Sequence, residues 1–312
     1  MRDHHAKSSA MACAVALATT LSLLAGCGPS KPSAEPGRET PARKAPPDPQ
    51  AVLDAATKRM KDEGTGSYVI ELPEVNTITK GKFDLDKKVT SEAMSSHLPH
   101  PELPNGFTVR GLMFKDEAFV RISIGPARKC WMRFEASDFT DAPGGTKSIS
   151  PSDFASMTSP PPAAEILEKP KARGFVKSST TEIKADVPLW PTFAAAMPGA
   201  ADVLADKIKK KRKARITLTV DDGAYSGATY SVGDVLRAAH LRPRDLKKAG
   251  ISEPGMAPKQ AFELLASTRV DITYGAFGQK VDVSRPPKDR IADVDLATIS
   301  ATGVFTCKAA ER

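Results

Sequence analysis

Phe107-Thr108-Val109-Arg110-Gly111-Leu112-Met113-Phe114, followed after Lys115-Asp116-Glu117 by Ala118-Phe119-Val120-Arg121-Ile122-Ser123-Ile124, is the stretch that decides the fold of this chain. Both runs are short and carry polar residues between apolar ones at a spacing of two, the period of a strand with one face toward a core. The three-residue connection, like Gly125-Pro126 after the second run, suits an antiparallel meander.

Working outward, the same period appears in Ser67-Tyr68-Val69-Ile70-Glu71-Leu72, in Gly81-Lys82-Phe83-Asp84-Leu85-Asp86 and in Lys129-Cys130-Trp131-Met132-Arg133-Phe134. Before them, residues 49–60 place Val52, Ala55, Ala56 and Met60 at helical spacing. A helical middle follows at residues 151–157, 163–168 and 190–211, the last broken by Pro188, Pro191 and Pro198, with one strand over 175–185 between them. Strands return at residues 215–220 and 227–230, then a helical excursion over about 231–267. Closing strands are expected at 269–274, 280–283 and 299–307. Helix, strands, helices, strands is an α+β plan: a large antiparallel sheet with helices packed on one face.

With 312 residues, 40% hydrophobic and 26% charged, the chain can bury a sizeable core and is not disordered as a whole. The formal charge is +8, a modest excess that would favour anionic headgroups or wall polymers.

The N-terminus reads as a processing signal. Residues 1–10 are polar with Arg2 and Lys7, and residues 11–25 are apolar and uncharged, too short to cross a bilayer as a permanent helix. Leu24-Ala25-Gly26-Cys27 resembles a bacterial lipobox, which implies cleavage before Cys27 and diacylglycerol on its sulfur. Two or three acyl chains hold a protein on a membrane, so residues 1–26 are expected to leave and Cys27 to anchor the rest at the extracytoplasmic face of the cell membrane. Loss of residues 1–26, which hold Arg2, Lys7 and Asp3, lowers the charge to +7. Residues 28–50 carry seven prolines and no aromatic or branched aliphatic residue, so 27–50 is expected to be a lipidated, disordered tether. The folded domain is then 51–312.

Cys13 goes with the signal, which leaves Cys130 and Cys307. In an exported domain these read as a disulfide, with two buried free thiols as the alternative. A bridge would pin a C-terminal strand to the middle of the sheet and, in the chain-entropy account, stabilise by roughly 5 kcal/mol.

The module Val270-Asp271-Ile272-Thr273-Tyr274-Gly275-Ala276-Phe277-Gly278-Gln279-Lys280-Val281-Asp282-Val283-Ser284-Arg285-Pro286-Pro287 resembles the final hairpin of LolA-like and LppX/LprG-like bacterial lipoproteins of actinobacterial type. Ala118-Phe119-Val120-Arg121 and the strand around Trp131 are similar to further strands of that family. The resemblance covers about residues 51–312. It implies a curved antiparallel half-barrel whose concave face cradles helices, with an apolar cavity between them that takes acyl chains. Phe119, Trp131, Phe134, Trp190 and Phe193 are the candidate liners, with ordinary core as the alternative role for each. The cysteine pair and the helical excursion depart from the family pattern.

No catalytic, metal or cofactor site is read. The five histidines form no HExxH-like cluster, no GxSxG elbow occurs, and Gly144-Gly145-Thr146-Lys147-Ser148 lacks the glycines of a phosphate loop. The basic run Lys209-Lys210-Lys211-Arg212-Lys213 is expected to face anionic headgroups, or else to be a solvated helix end; after export nucleic acid is not a partner. The sequence therefore reads as a non-enzymatic, membrane-anchored lipoprotein that binds or carries a lipid or other hydrophobic ligand. The alternative is an interaction or sensor lipoprotein that contacts a protein or cell-wall partner.

Overall fold

Asp48 and Gly64 bracket the first helix. The Asp48 side chain accepts from Gln50 N, Pro49 starts the helix where its missing N–H costs nothing, and Gly64 closes it in the left-handed region at φ 65°. This computed structural model describes residues 47–97, 106–123, 126–135, 161–197, 204, 208, 212–248, 257–292 and 307. The expected signal peptide, Cys27 and nearly all of the expected tether lie outside the described residues, as do the helix expected at 151–157 and all but Cys307 of the strand expected at 299–307.

Helix α1 (Pro49–Glu63) is followed by strands β1 (Thr65–Leu72), β2 (Thr77–Asp84), β3 (Val89–Ser96), β4 (Phe107–Met113), β5 (Glu117–Ile122) and β6 (Met132–Glu135). After helix α2 (Pro162–Glu165) come β7 (Lys171–Phe175), β8 (Glu182–Pro188), α3 (Leu189–Ala196), β9 (Lys213–Asp221) and β10 (Ala224–Ser231). Helices α4 (Val232–Ala239), α5 (Pro243–Lys248) and α6 (Pro258–Ser267) then lead into β11 (Arg269–Gly275). The eleven strands form one open sheet in the order β6-β5-β4-β3-β2-β1-β11-β10-β9-β8-β7. Every pairing between these strands is antiparallel, so two meanders, β1 to β6 and β7 to β11, are joined edge to edge along β1 and β11.

The large antiparallel sheet with a few helices is the expected α+β plan. Several elements differ from expectation. Strand β3 is an addition: Val89-Thr90-Ser91-Glu92-Ala93-Met94-Ser95-Ser96 has no apolar face, and it is a strand because β2 and β4 both pair along it. The single strand expected at 175–185 is instead the β7–β8 hairpin. Residues 280–287 form no strand, which corrects the closing hairpin. The reason is topological: both edges of β11 are occupied, by β1 and by β10, so a returning strand has no edge to pair with. The disulfide joins Cys130 to Cys307 with Cα atoms 5.7 Å apart. It does not reach the middle of the sheet, because Cys130 precedes β6 and β6 is an edge strand.

Directly opposed residues of an antiparallel pair share a face. The inner face carries Tyr68, Ile70 and Leu72 of β1, Ile272 and Tyr274 of β11, Leu218 of β9 and Ile183, Ala185 and Val187 of β8. All of these are buried in one apolar cluster with Leu53, Ala56 and Met60 of α1, Phe193 of α3 and Val235 and Leu236 of α4. Three tyrosines tie this layer together: Tyr225 OH donates to Leu53 O at 3.1 Å, Tyr230 OH to Thr192 O at 3.0 Å and Tyr274 OH to Ala163 O at 2.8 Å. Each removes a polar terminus from an apolar interior.

Candidate functional site

The fourth tyrosine behaves differently. Tyr68 OH donates to the Glu92 carboxylate, across β2 and onto β3. The path is cleared by Gly81, which stands opposite Tyr68 on β2: a Cβ at Gly81 would lie 2.1 Å from the Tyr68 ring. Gly81 in turn opposes Glu92, Glu92 opposes Gly111, Gly111 opposes Val120, and Val120 opposes Met132. One row of the inner face therefore runs Tyr68, Gly81, Glu92, Gly111, Val120, Met132, with the carboxylate between two glycines. Tyr68 fills the space over Gly81, whereas a Cβ at Gly111 would meet only Met113 Cε at 3.6 Å. Gly111 is a notch beside Glu92.

The side chains around that notch are apolar. Met94, Phe107, Val109, Met113, Val120, Ile122 and Phe134 all project from the inner face, and all are half-buried. In the neighbouring row Thr90 is fully buried, and its Oγ1 has no hydrogen-bond partner among the described residues. Burial raises the Glu92 carboxyl above its usual range, opposed in part by the hydrogen bond from Tyr68. Burial, and then the neighbouring Glu92 charge, raise the Tyr68 hydroxyl. The arrangement is a polar point on an apolar surface: a hydrogen-bond acceptor, an unpaired hydroxyl and a gap between them and Val120.

The five liners named from sequence do not gather at one place. Phe193 is fully buried within the main cluster, and Trp190 packs on that cluster half-buried. Phe134 opposes Ala118 and lies on the inner face, but Phe119 opposes Arg133 and therefore lies on the outer face. Trp131 is on the outer side as well, under the Arg121 guanidinium at 4.8 Å. In the basic run, Arg212 donates to Ala238 O at 3.1 Å near the C-terminal end of α4 and Lys213 opens β9, while Lys209, Lys210 and Lys211 lie outside the described residues. Glu92, Gly111 and Thr90 were missed because their meaning depends on strand register, which no local pattern carries.

An open cleft of about 490 Å³ lies between α1 and residues 168–170. Its wall carries Asp54, Lys58, Lys61, Asp62, Glu168 and Lys169, charges of both signs that suit water better than an apolar ligand. Among the described residues no group of three or more metal-ligating side chains occurs, and no helix is long and apolar enough to cross a membrane. No protein-family model matches the chain, and no curated protein matches it.

Proposed function

We propose that this protein is a non-enzymatic lipoprotein, anchored through acylated Cys27 at the outer surface of the cell membrane, that binds an amphiphilic lipid on the inner face of β3 to β5. In this reading the open sheet curves as a half-barrel with helices on its concave side, as the LolA-like and LppX/LprG-like resemblance implies. Acyl chains lie over Met94, Val109 and Met113, beside the small cluster in which Val120 and Ile122 pack against Met132 and the Cys130–Cys307 disulfide, and the polar end meets Glu92. The observation that carries the reading is the continuity of one apolar face, fully buried over β8 to β1 and only half-buried over β3 to β5. Burial of that remaining surface would supply about 25 cal/mol per Å² covered, a gain that depends little on the chemistry of the chain covering it.

The test is extraction of the purified chain followed by lipid mass spectrometry, beside a Gly111→Leu variant that fills the notch. Co-purifying lipid should be present in the wild type and lost from a Gly111→Leu chain that keeps its circular dichroism. An empty wild type, or equal lipid in both, defeats the reading. Cys27→Ser should separately release the chain from membranes and abolish acyl labelling.

A further inference from the structure

The outer face of the same sheet carries a cluster of cations with no ion-pair partner among the described residues. Arg110 of β4 stands directly opposite Arg121 of β5. Arg290 joins them through the backbone: Trp131 N donates to Arg290 O at 2.7 Å and Ile291 bridges to Trp131, while the Arg121 guanidinium lies on the Trp131 ring. Two carboxylates of this region, Glu117 and Glu135, are already committed. Glu117 accepts from both Arg133 and Arg285, and Glu135 pairs with Arg133 at 2.6 Å. Arg110, Arg121 and Arg290 have no carboxylate within ion-pair distance among the described residues.

Like charges set directly opposite each other on a sheet oppose its pairing. Here a third is added, and the middle one is half-buried against an aromatic ring. Mutual repulsion and loss of water hold the Arg121 guanidinium below its usual range, with desolvation the larger cause and Arg110 and Arg290 the others. Arg110 and Arg121 are opposed across β4 and β5, and the Arg290 backbone meets Trp131 beneath Arg121, so three guanidinium side chains belong to one region of this face, and a tetrahedral oxyanion accepts several charge-assisted hydrogen bonds at once. The cation–π contact fixes one of the three in advance, which lowers the ordering cost of binding.

We infer that Arg110, Arg121 and Arg290 form a binding site for a phosphate group, free or on a lipid headgroup, on the face of the sheet opposite Glu92. The site is separate from the lipid-binding reading and stands or falls without it. Its occupant neutralises the cluster, so the fold is more stable with phosphate bound than without.

The experiment follows thermal unfolding of the full chain in inorganic phosphate and in chloride at equal ionic strength. It also measures sedimentation with phosphatidylglycerol or phosphatidylcholine vesicles. The wild type and Arg110→Gln/Arg121→Gln are compared throughout. Phosphate should raise the wild-type Tm by several degrees and leave the variant unmoved, while without phosphate the variant should be at least as stable as the wild type. Discrimination by phosphatidylglycerol vesicles alone, at roughly tenfold in binding, would assign the phosphate to a headgroup. No phosphate-dependent or vesicle-dependent difference between the two chains overturns the site. So does a variant that is less stable in chloride with no phosphate response in the wild type, the behaviour of purely structural arginines. Arg290→Gln, on an exposed turn, repeats the comparison if the double variant fails to fold.

Discussion

The inner face of this sheet is continuous in register and divided in burial. Over β8, β9, β11 and β1 its side chains belong to one buried apolar cluster that also holds residues of α1, α3 and α4: Ile183, Val187, Leu218 and Val270 are all at 0% exposure. Over β3, β4 and β5 the corresponding positions, Met94, Val109, Met113 and Val120, are half-buried. The tyrosines mark the border. Tyr225, Tyr230 and Tyr274 donate to main-chain carbonyls of the helical layer, and Tyr68 alone turns toward a carboxylate on the other half. The difference teaches that one strand pattern can end in two degrees of burial, and that the neighbours packed against a strand, not its own alternation, decide how far its apolar side chains leave water.

The sharpest way to break that contrast is to remove the same side chain from each half. Phe193→Ala empties a fully buried position and should cost about 3–5 kcal/mol, the range for deleting a core aromatic. Phe107→Ala, at a half-buried position of β4, should cost about 1 kcal/mol, since part of its surface is already in water. Denaturant unfolding of both variants measures the difference. Equal losses would mean that the two halves are packed alike.

A second pair of substitutions acts on the border itself. Gly81→Ala puts a Cβ within 2.1 Å of the Tyr68 ring, so the ring must leave its row and the hydrogen bond to Glu92 is lost, for about 1–3 kcal/mol. Gly111→Ala meets only Met113 Cε at 3.6 Å, and there the better strand propensity of alanine should leave stability within about 0.5 kcal/mol of the wild type. If Gly81→Ala is as mild as Gly111→Ala, Tyr68 is not held across β2 and the border loses its definition.

Much of the sheet was legible in the sequence because Ser67 to Leu72, Phe107 to Ile124 and Arg269 to Tyr274 each carry their own alternation, and a local pattern is what a local reading detects. The Cys130 and Cys307 pair was legible by counting. Strand β3 was not, since its strand character comes from its two neighbours and not from its own residues. The candidate site was less legible still. Tyr68, Glu92 and Gly111 are far apart in the chain, and only the registers of three strand pairs place them in one row. The same registers put Phe119 and Phe134 on opposite faces, although both read as aromatic strand residues. Large side chains draw attention in a sequence, whereas here two glycines shape the site.

The smallest expected effect concerns a charge on the filled half. Glu165, at the end of α2 beside the helical layer, is pushed up to about 7, first by burial and then by the neighbouring Glu168 charge. A carboxyl raised in the folded state keeps its proton there after the unfolded chain has released it, so stability is fully present below about pH 4.5 and is lost as pH rises through about 7. A shift of that size corresponds to at most about 3 kcal/mol, and solvent screening at a half-buried group brings it nearer to about 1 kcal/mol. Glu165→Gln should therefore match the wild type at pH 5 and exceed it at pH 8 in denaturant unfolding. Glu92 is raised by burial and contributes with the same sign, so the decline between those pH values should shrink in Glu165→Gln without vanishing. The remainder should go with Glu92→Gln, which charges the comparison at its border: a decline that survives both substitutions would place the responsible group in neither half of the inner face.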